Sequence, residues 1–331
     1  MIVLAGEISA GTCRLALVRD QQPFFERSYT SSDFGSADAV VERFLHEARK
    51  SLGAETLPRR ACLGVPGPVQ DATCKVTNLP WFVEARTIER RTKIESVTLI
   101  NDFQAIALGA TVLGDEHLVP IGGGPRKPEG PMAVAGAGTG LGEAFLVWST
   151  AEARYQVIPS EGGHVEFTPR TGLEAGLGSY LSGRYGRVSY ERVLSMRGLA
   201  DIFGFLSSEP ALAPLVREET RAQLVMEDPA LVITRQAADS RDPICAMAVN
   251  QLCSTLGAFA GNMALTFLAT GGVYIAGSLT PRLLPFLQNG VFRQSFEAKG
   301  RFQPLISQIP CFAITHPQVG LLGAASMAAR A

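Results

Sequence analysis

The sequence predicts an α/β fold with two domains. Its 331 residues exceed the length that usually forms a single hydrophobic core. Strand-like and helix-like segments occur in two successive sets, and a glycine- and proline-rich stretch, residues 122–131, separates them. Linker composition between two strand sets is typical of a domain boundary, so we expect the boundary at this stretch.

In the first set, residues 2–30 read as three strands separated by short turns. Apolar residues at helical spacing predict a helix over 36–52, with Ser36 as its N-cap. A buried strand over 61–69 and a strand over 96–100 follow, and a helix starts at "NDF".

In the second set, "MAVAGAG", "GEAFLVW" and "ARYQVIP" predict strands, and another strand is expected after "EGGH". Helices are predicted over 228–239 and 243–269, followed by a buried strand, "GGVYIAGS", and a C-terminal helix, "VGLLGAASMAARA". The stretch from Pro243 to Pro281 has no charged residue. Polar residues and glycines interrupt it, which favours a buried central helix over a membrane span.

Composition excludes several classes of partner. The net charge is −1 and no basic stripe is present, so we expect neither nucleic acid nor a membrane surface as a partner. None of the six cysteines forms a CxxC pair, which favours reduced core thiols over a zinc site. The N-terminus lacks the pattern of a signal peptide. We therefore predict a cytoplasmic protein.

The segment "GAGTGLG", residues 136–142, raises the question of a phosphate-binding loop. It fits neither the dinucleotide fingerprint nor the Walker P-loop. A strand-like segment follows it, which indicates a hairpin. Glycines let backbone N–H groups approach an anion closely, and Thr139 adds a hydroxyl. A plain tight hairpin is the alternative, but four glycines favour phosphate binding. A similar outline, "GEISAGT", occurs at residues 6–12.

Two polar clusters suggest further site residues. Asn101 and Asp102 follow a strand, where ligands gather in open α/β sheets, but both are also favoured helix N-caps. Glu161 and His164 flank two glycines, an arrangement suited to the hydroxyls of a sugar, although a structural histidine is the alternative. Glu191 lies near a helix start, where acidic residues are common without any function.

Together, "INDFQAIALG", "GAGTGLGEAFLV", "EGGHVEF", "VSYERVLS", "GGVYIAGSLTPR" and "FRQSFEAKGRF" resemble the bacterial glucokinases. That family belongs to the superfamily of hexokinase, actin and the heat-shock chaperone ATPases. The resemblance is collinear over nearly the whole chain. The cysteine-rich zinc motif of the repressor-type sugar kinases is missing, which argues against that sister group.

The resemblance implies an α/β fold of two ribonuclease H-like (actin-like ATPase) domains with a cleft between them. The small domain would span residues 1–121, with the C-terminal helix at about 316–331 packing on it, and the large domain residues 122–315. The implied reaction is transfer of the γ-phosphoryl group of ATP, with Mg²⁺, to the 6-hydroxyl of glucose. A homodimer is also implied.

The resemblance also implies residue roles. Asp102 would be the general base for the 6-hydroxyl, and no side chain is predicted to bind a metal ion directly. The predicted sugar-binding residues are Asn101, Asp102, Glu161, His164 and Glu191. The predicted ATP-binding residues are Glu7, Gly11, Thr12, Gly138, Thr139, Gly271, Gly272 and Gly277.

The first hairpin departs from the family pattern Gly-Asp-x-Gly-Gly-Thr. Here the acid is Glu7, Ser9 and Ala10 replace two glycines, and Gly11-Thr12 lies one position later. We expect a weakened phosphate clamp with Glu7 reaching Mg²⁺ through water. Two alternatives remain open: a sugar-binding sensor with poor turnover, and a kinase for another hexose or for ADP or polyphosphate as donor.

Overall fold

The computed structural model describes residues 1–53, 56–77, 79–239 and 241–330. Over these residues the β-strands are β1 (Ile2–Ile8), β2 (Thr12–Arg19), β3 (Gln22–Thr30), β4 (Arg60–Val65), β5 (Val69–Gln70), β6 (Thr73–Lys75), β7 (Phe82–Glu84), β8 (Ser96–Asn101), β9 (Leu118–Gly122), β10 (Met132–Ala137), β11 (Leu141–Ser149), β12 (Arg154–Ser160), β13 (Gly272–Ala276) and β14 (Cys311–Ile314). The α-helices are α1 (Ala37–Leu52), α2 (Ala85–Thr92), α3 (Asp102–Ala110), α4 (Gly172–Tyr185), α5 (Tyr190–Val193), α6 (Met196–Ser208), α7 (Glu218–Met226), α8 (Pro229–Ala238), α9 (Pro243–Phe267), α10 (Thr280–Leu287), α11 (Val291–Glu297), α12 (Gln303–Ile306) and α13 (Val319–Arg330).

The chain divides into two compact units. The first contains residues 1–117, 154–159 and 316–331, and the second contains residues 118–153 and 160–315. The first crossing lies at 117/118, whereas the sequence places a boundary at 121/122. The reason is β9, which pairs with β14 in the sheet of the second unit. The glycine- and proline-rich stretch that suggested the boundary begins at the last residue of β9.

The first unit is built on a sheet with the strand order β3-β2-β1-β4-β8. The three predicted strands of residues 2–30 are confirmed and form an antiparallel meander, while β1, β4 and β8 are parallel. Helix α1 begins as predicted, because the Ser36 side chain accepts a hydrogen bond from the Ala39 N–H at 3.4 Å. Its buried face packs into the core of this unit through Val40, Val41 and Phe44.

Helices α3 and α13 of the first unit are in close contact at glycines. A Cβ at Gly323 would lie 1.8 Å from the Ala105 carbonyl oxygen, and one at Gly109 would lie 2.0 Å from the Val319 carbonyl oxygen. Only hydrogen atoms fit there, so the two backbones approach closely. This contact, with those to β1 and β4, fixes the C-terminal helix in the first unit.

The sheet of the second unit has the order β11-β10-β13-β14-β9, with β10, β13 and β14 parallel. The predicted hairpin between β10 and β11 is confirmed. Each unit therefore places an antiparallel hairpin beside two further parallel strands: β2-β1-β4-β8 in one and β11-β10-β13-β14 in the other. The similarity between the two glycine-containing segments thus extends to the topology around them.

Helix α9 is the buried central helix that the uncharged stretch predicts. By length and composition alone it could cross a membrane, but 72% of its most apolar window is buried inside the protein. Its glycines are contact points: a Cβ at Gly257 would lie 2.1 Å from the Phe292 carbonyl oxygen, and one at Gly261 would lie 2.4 Å from that of Phe296. Helix α11 packs there.

Candidate active site

Asn101 and Asp102 stand where β8 ends and α3 begins. Asn101 caps the helix: its Oδ1 accepts from the Phe103 N–H at 2.9 Å, and Gln104 Oε1 accepts from the Asn101 N–H at 2.9 Å. Asn101 Nδ2 also donates to the Gly67 carbonyl oxygen at 3.2 Å. Asp102 is the first residue of α3, and its Oδ1 accepts from its neighbour Phe103. Capping is thus the work of Asn101, and the capping interpretation does not account for Asp102.

Glu7 lies on β1 beside the first turn of α13. Its Oε2 is 3.8 Å from Arg14 Nη1, and the same nitrogen donates to the Pro317 carbonyl oxygen at 3.2 Å. A Cβ at Gly320 would lie 3.0 Å from Glu7 Oε1. Burial raises the pKa of the Glu7 carboxyl above its ordinary value, and the charge of Arg14 opposes that shift. The side chain still has 26% of its surface exposed.

The first hairpin loop, residues 9–12, is closed by its own serine. Ser9 Oγ donates to the Thr12 carbonyl oxygen at 2.8 Å and accepts from the Thr12 N–H at 3.1 Å. Ser31 holds the loop from outside, donating its N–H to the Gly11 carbonyl oxygen and its hydroxyl to that of Ser9. No residue of this loop has a left-handed backbone, so its path suits Ser9 and Ala10 without strain.

The amides of this loop are unequally available to a ligand. Ala10 and Gly11 are exposed, and in the described part of the chain their N–H groups have no hydrogen-bond partner. The Thr12 N–H is engaged by Ser9. The contacts of the described residues thus leave the N–H groups of Ala10 and Gly11, but not that of Thr12, for a ligand.

The second hairpin turns through Gly138, Thr139 and Gly140 between paired Ala137 and Leu141. The Gly138 N–H donates to the Gly140 carbonyl oxygen at 2.8 Å. Among the residues described, no partner binds the N–H groups of Thr139 and Gly140, so both can meet an anion.

Gly277 joins this hairpin, whereas Gly271 and Gly272 do not. Gly277 has φ of 96°, and a Cβ there would lie 2.4 Å from the Ala137 carbonyl oxygen. Gly271 and Gly272 lie at the other end of β13, about 16–20 Å from Gly277 at the usual rise of a strand residue. A Cβ at Gly271 would lie 2.3 Å from the Gly130 carbonyl oxygen. The structure thus brings Gly138, Thr139 and Gly277 together and leaves the other two apart.

The turn after β12 carries Glu161 and His164. Residues 162–164 form a 3₁₀ turn. The strand predicted after it is wrong: the chain makes a single bridge, Glu166 to Ser189. Two hydrogen bonds use backbone carbonyl groups of this segment. The Tyr190 N–H donates to the Val165 carbonyl oxygen, and Arg187 Nη2 donates to the His164 carbonyl oxygen, so the segment follows an irregular path instead of a strand.

Glu161, His164 and Glu191 form one cluster in the second unit. His164 Nε2 lies 3.8 Å from Glu161 Oε2, and His164 Nδ1 lies 3.9 Å from Glu191 Oε1. The side chains of Glu161 and His164 are 59% and 55% exposed, and that of Glu191 is 32% exposed. These spacings leave the acceptors and the imidazole available to a polyhydroxylated ligand.

Glu191 does not serve its own helix. Its Oε2 accepts a hydrogen bond from the Leu141 N–H at 3.1 Å, and a Cβ at Gly140 would lie 2.6 Å from the same oxygen. Ser189, which precedes the four-residue helix α5, makes no capping bond with its side chain. Glu191 lies in the first turn of α5, but its hydrogen bond goes to Leu141, so the residue links the cluster to the second hairpin.

Sequence reasoning missed three polar residues that shape these loops: Ser31, Glu143 and Ser160. Ser160 Oγ donates to Glu143 Oε1 and accepts from the Gly162 N–H at 3.0 Å. The available signal was an acidic residue inside the apolar run "GLGEAFLV" and a serine directly before "EGG".

The other chemistry-bearing groups of the described residues form no second cluster. Within the described ranges, no cluster of three or more His, Cys, Asp or Glu side chains could hold a metal ion. The six cysteines are buried and unpaired with one another, and burial raises the pKa of the Cys13 and Cys74 thiols above the ordinary value.

Known proteins match this chain over nearly its full length. The family model described as Glucokinase matches residues 4–331. A glucokinase of Nostoc punctiforme is 38% identical over 345 aligned residues, which cover 99% of each chain.

Two solved structures show the same fold. A glucokinase from an Antarctic psychrotroph has a TM-score of 0.83 and 29% identity, covering 100% of this chain and 99% of its own. A glucokinase of the ROK family from Streptomyces griseus, solved with glucose and AMPPNP, has a TM-score of 0.69 and 19% identity over 100% of both chains. At that identity the second likeness concerns the fold alone. The match of the family model and the identity to a curated relative decide the question: this chain belongs to the glucokinase family.

Proposed function

We propose that this protein is a glucokinase that transfers the γ-phosphoryl group of ATP to the 6-hydroxyl of glucose. One observation carries the proposal beyond family membership. In the second unit, the cluster of Glu161, His164 and Glu191 is hydrogen-bonded directly to a glycine hairpin with unpaired N–H groups, through the 3.1 Å contact of Glu191 with Leu141. Hydroxyl acceptors thus adjoin an anion-binding turn, as a sugar phosphorylated by a nucleotide requires.

The sugar side of the proposal uses five residues. Glu161, His164 and Glu191 would hydrogen-bond hydroxyls, and Asn101 would add its remaining amide hydrogen and lone pair. Asp102 would accept the proton of the attacking 6-hydroxyl. Phosphoryl transfer needs positioning and charge stabilisation more than covalent help, so one base and well-placed donors suffice.

The nucleotide side uses the two hairpins. Thr139 and Gly140 in one hairpin, and Ala10 and Gly11 in the other, would donate their backbone N–H groups to phosphate oxygens, and Thr12 would donate its hydroxyl. Gly138 and Gly277 allow the backbone to approach. Gly271 and Gly272 lie at the far end of β13, and their predicted place beside the adenosine remains a prediction that our assignment does not use.

Mg²⁺ would neutralise phosphate charge when bound. Glu7 fits a link to this ion, because it presents a partly exposed carboxylate beside the first hairpin, and Mg²⁺ prefers oxygen ligands and retains several waters. We propose that Glu7 holds one of those waters. Its contact with Arg14 keeps the carboxylate at the loop.

The finer architecture follows from the superfamily resemblance. We propose that the two compact units are ribonuclease H-like domains, and that the protein is a cytoplasmic homodimer. The repeated strand order supports the domain duplication.

A coupled assay tests the reaction, with ATP, ADP and polyphosphate as donors and a panel of hexoses as acceptors. We expect turnover with ATP and glucose in the presence of Mg²⁺. Sugar binding without turnover by any donor would establish the sensor alternative instead. Preference for another hexose or donor would retain the kinase and change its substrate.

Asp102→Ala tests the base. We expect kcat to fall about 10²–10⁴-fold, the usual contribution of a general base, while glucose affinity measured by calorimetry persists. Thermal stability should persist too, because Asn101 caps the helix. The matched control is Asn101→Ala, which should cost about 1 kcal/mol of stability. An Asp102→Ala protein with near wild-type kcat would refute the assignment.

A further inference from the structure

Glu143 is a buried carboxylate that the proposed reaction does not use. It lies on β11 opposite Ala135, and 5% of its surface is exposed. Over the described residues, no lysine, arginine or histidine forms an ion pair with it. A buried carboxylate without a cation is costly unless hydrogen bonds satisfy it.

The hydrogen bonds come from the turn that carries the sugar-binding residues. Ser160 donates its hydroxyl to Glu143 Oε1, and the Gly162 N–H donates to Ser160 Oγ at 3.0 Å. A Cβ at Gly162 would lie 1.8 Å from Glu143 Oε1, so the turn backbone lies directly against this oxygen. Ser160 and Gly162, the residues before and after Glu161, therefore both contact Glu143.

The turn rests on the hairpin at a second point. A Cβ at Gly163 would lie 2.2 Å from the Leu141 carbonyl oxygen, so the turn backbone also presses on the first residue of β11. Residues 160–163 therefore follow the surface of β11 from Leu141 to Glu143. The side chains of Glu161 and His164 project from this supported segment into solvent.

We propose that Glu143 and Ser160 are positioning residues for sugar recognition, which hold the turn 161–164 on β11 so that Glu161 and His164 meet the sugar hydroxyls. The inference rests on the proposed function. Neither residue touches the sugar; each acts through the turn.

The electrostatics of the pair are consistent with this role. Burial raises the pKa of the Glu143 carboxyl, and the negative charge of Glu161 adds to the shift, while the hydrogen bond from Ser160 opposes it. Because burial disfavours the charged form of Glu143, a neutral isostere is the informative replacement. Glu143→Gln keeps the Oε1 acceptor for Ser160, whereas Glu143→Leu removes it.

Glucose affinity, measured by calorimetry without nucleotide, is the first test. We expect Glu143→Leu and Ser160→Ala to weaken glucose binding about tenfold, the effect of one lost hydrogen bond, with KM for ATP within twofold of wild type. Glu143→Gln should restore binding to within about threefold. The matched control is Glu174→Gln, another buried carboxylate of the second unit, whose partner is Arg170. It should leave glucose affinity unchanged.

A panel of monodeoxyglucoses, each lacking one hydroxyl, separates positioning from general damage. Wild type should bind each monodeoxyglucose more weakly than glucose. In Glu143→Leu this difference in affinity should disappear for the sugars that lack a hydroxyl bound by Glu161 or His164, and it should persist for the others. Equal loss for every sugar and for ATP would overturn the proposal. So would a folded Glu143→Leu protein with wild-type glucose affinity.

Hydrogen exchange at residues 161–164 gives a readout that does not need activity. Exchange should accelerate at least tenfold in Glu143→Leu and Ser160→Ala and remain unchanged in Glu174→Gln. If Glu143→Leu does not fold, Ser160→Ala decides. A wild type without kinase activity but with these variant effects would refute the proposed function and keep this inference. Unchanged exchange in an active enzyme would do the reverse.

Discussion

One oxygen of Glu191 accepts a hydrogen bond from the backbone N–H of Leu141 at 3.1 Å. Leu141 is the residue with which the glycine hairpin re-enters its sheet, and Glu191 Oε1 lies 3.9 Å from His164 Nδ1. A single carboxylate therefore touches both the hairpin assigned to phosphate and the cluster assigned to sugar.

Glu191→Ala should accordingly raise KM for both glucose and ATP, because it removes a hydroxyl acceptor and leaves the Leu141 N–H without its partner. We expect an effect of about tenfold on each, the size of one charged hydrogen bond. His164→Ala should raise KM for glucose alone. Initial-rate measurements with each substrate varied will distinguish the two. If Glu191→Ala raises only KM for glucose, the hydrogen bond to Leu141 has no role in nucleotide binding.

The first hairpin predicts a high KM for ATP with normal sugar affinity. Ser9 engages the Thr12 N–H, so a loop rebuilt with Glu7→Asp, Ser9→Gly, Ala10→Gly and Gly11→Thr should free a donor and lower KM for ATP. Ser9→Gly alone tests the donor argument. The idea fails if the wild type already binds ATP tightly and the rebuilt loop is neutral or worse. No transfer by either protein to any sugar favours the sensor interpretation.

Gly323→Ala should destabilise the protein. Its Cβ would lie 1.8 Å from the Ala105 carbonyl oxygen, and relieving that overlap requires α3 and α13 to separate, at about 1–3 kcal/mol. The control is Gly183→Ala in α4, where nothing lies within 4 Å of the new Cβ. It should stabilise by about 0.5–1 kcal/mol through helix propensity. Urea denaturation will measure both, and equal midpoints would contradict the packing argument.

Lys299 predicts an unusual pH dependence of stability. Burial lowers the pKa of its amine from 10.5 to about 8, with Arg170 adding to the shift, although the amine donates to Ala258 and Asn262. Between about pH 8 and 10.5 the unfolded chain binds the proton more tightly than the folded one. The free energy of unfolding should therefore rise with pH across this window.

Denaturation of wild type and Lys299→Met at several pH values measures this contribution as a difference. Contributions from other titrating groups are the same in both proteins and cancel in that difference. The control is Lys127→Met at an exposed position, where the difference from wild type should not change with pH. A gap between wild type and Lys299→Met that stays constant from pH 8 to 10.5 would show that the amine titrates normally in the folded protein.

Local patterns predicted most strands and helices because their apolar spacing and caps are local properties. Ser36, for example, caps α1 as its sequence context suggests. Local patterns could not show which of Asn101 and Asp102 caps α3, since both residue types cap helices. The hydrogen bonds of Asn101 to Phe103, Gln104 and Gly67 decide it, and the last comes from 34 residues away.

The buried Glu143 shows a second limit. A single acid in an apolar strand reads as an outward-facing position, because burial without a partner is costly. Its partner, Ser160, is 17 residues distant and lies on another segment. A similar limit applies to the glycines around β13. The sequence suggests one glycine-rich group of Gly271, Gly272 and Gly277, but the extended strand places the first two far from the third.

The packing of α13 sets an order for folding. This helix, at residues 319–330, covers α3, β1 and β4, which form in the first third of the chain. During synthesis the early segments must wait for the final residues before their shared core is complete, whereas residues 160–315 of the second unit are contiguous. Closing contacts across nearly the full sequence carries a large entropic penalty, so we expect nascent chains to acquire protease resistance first in the second unit.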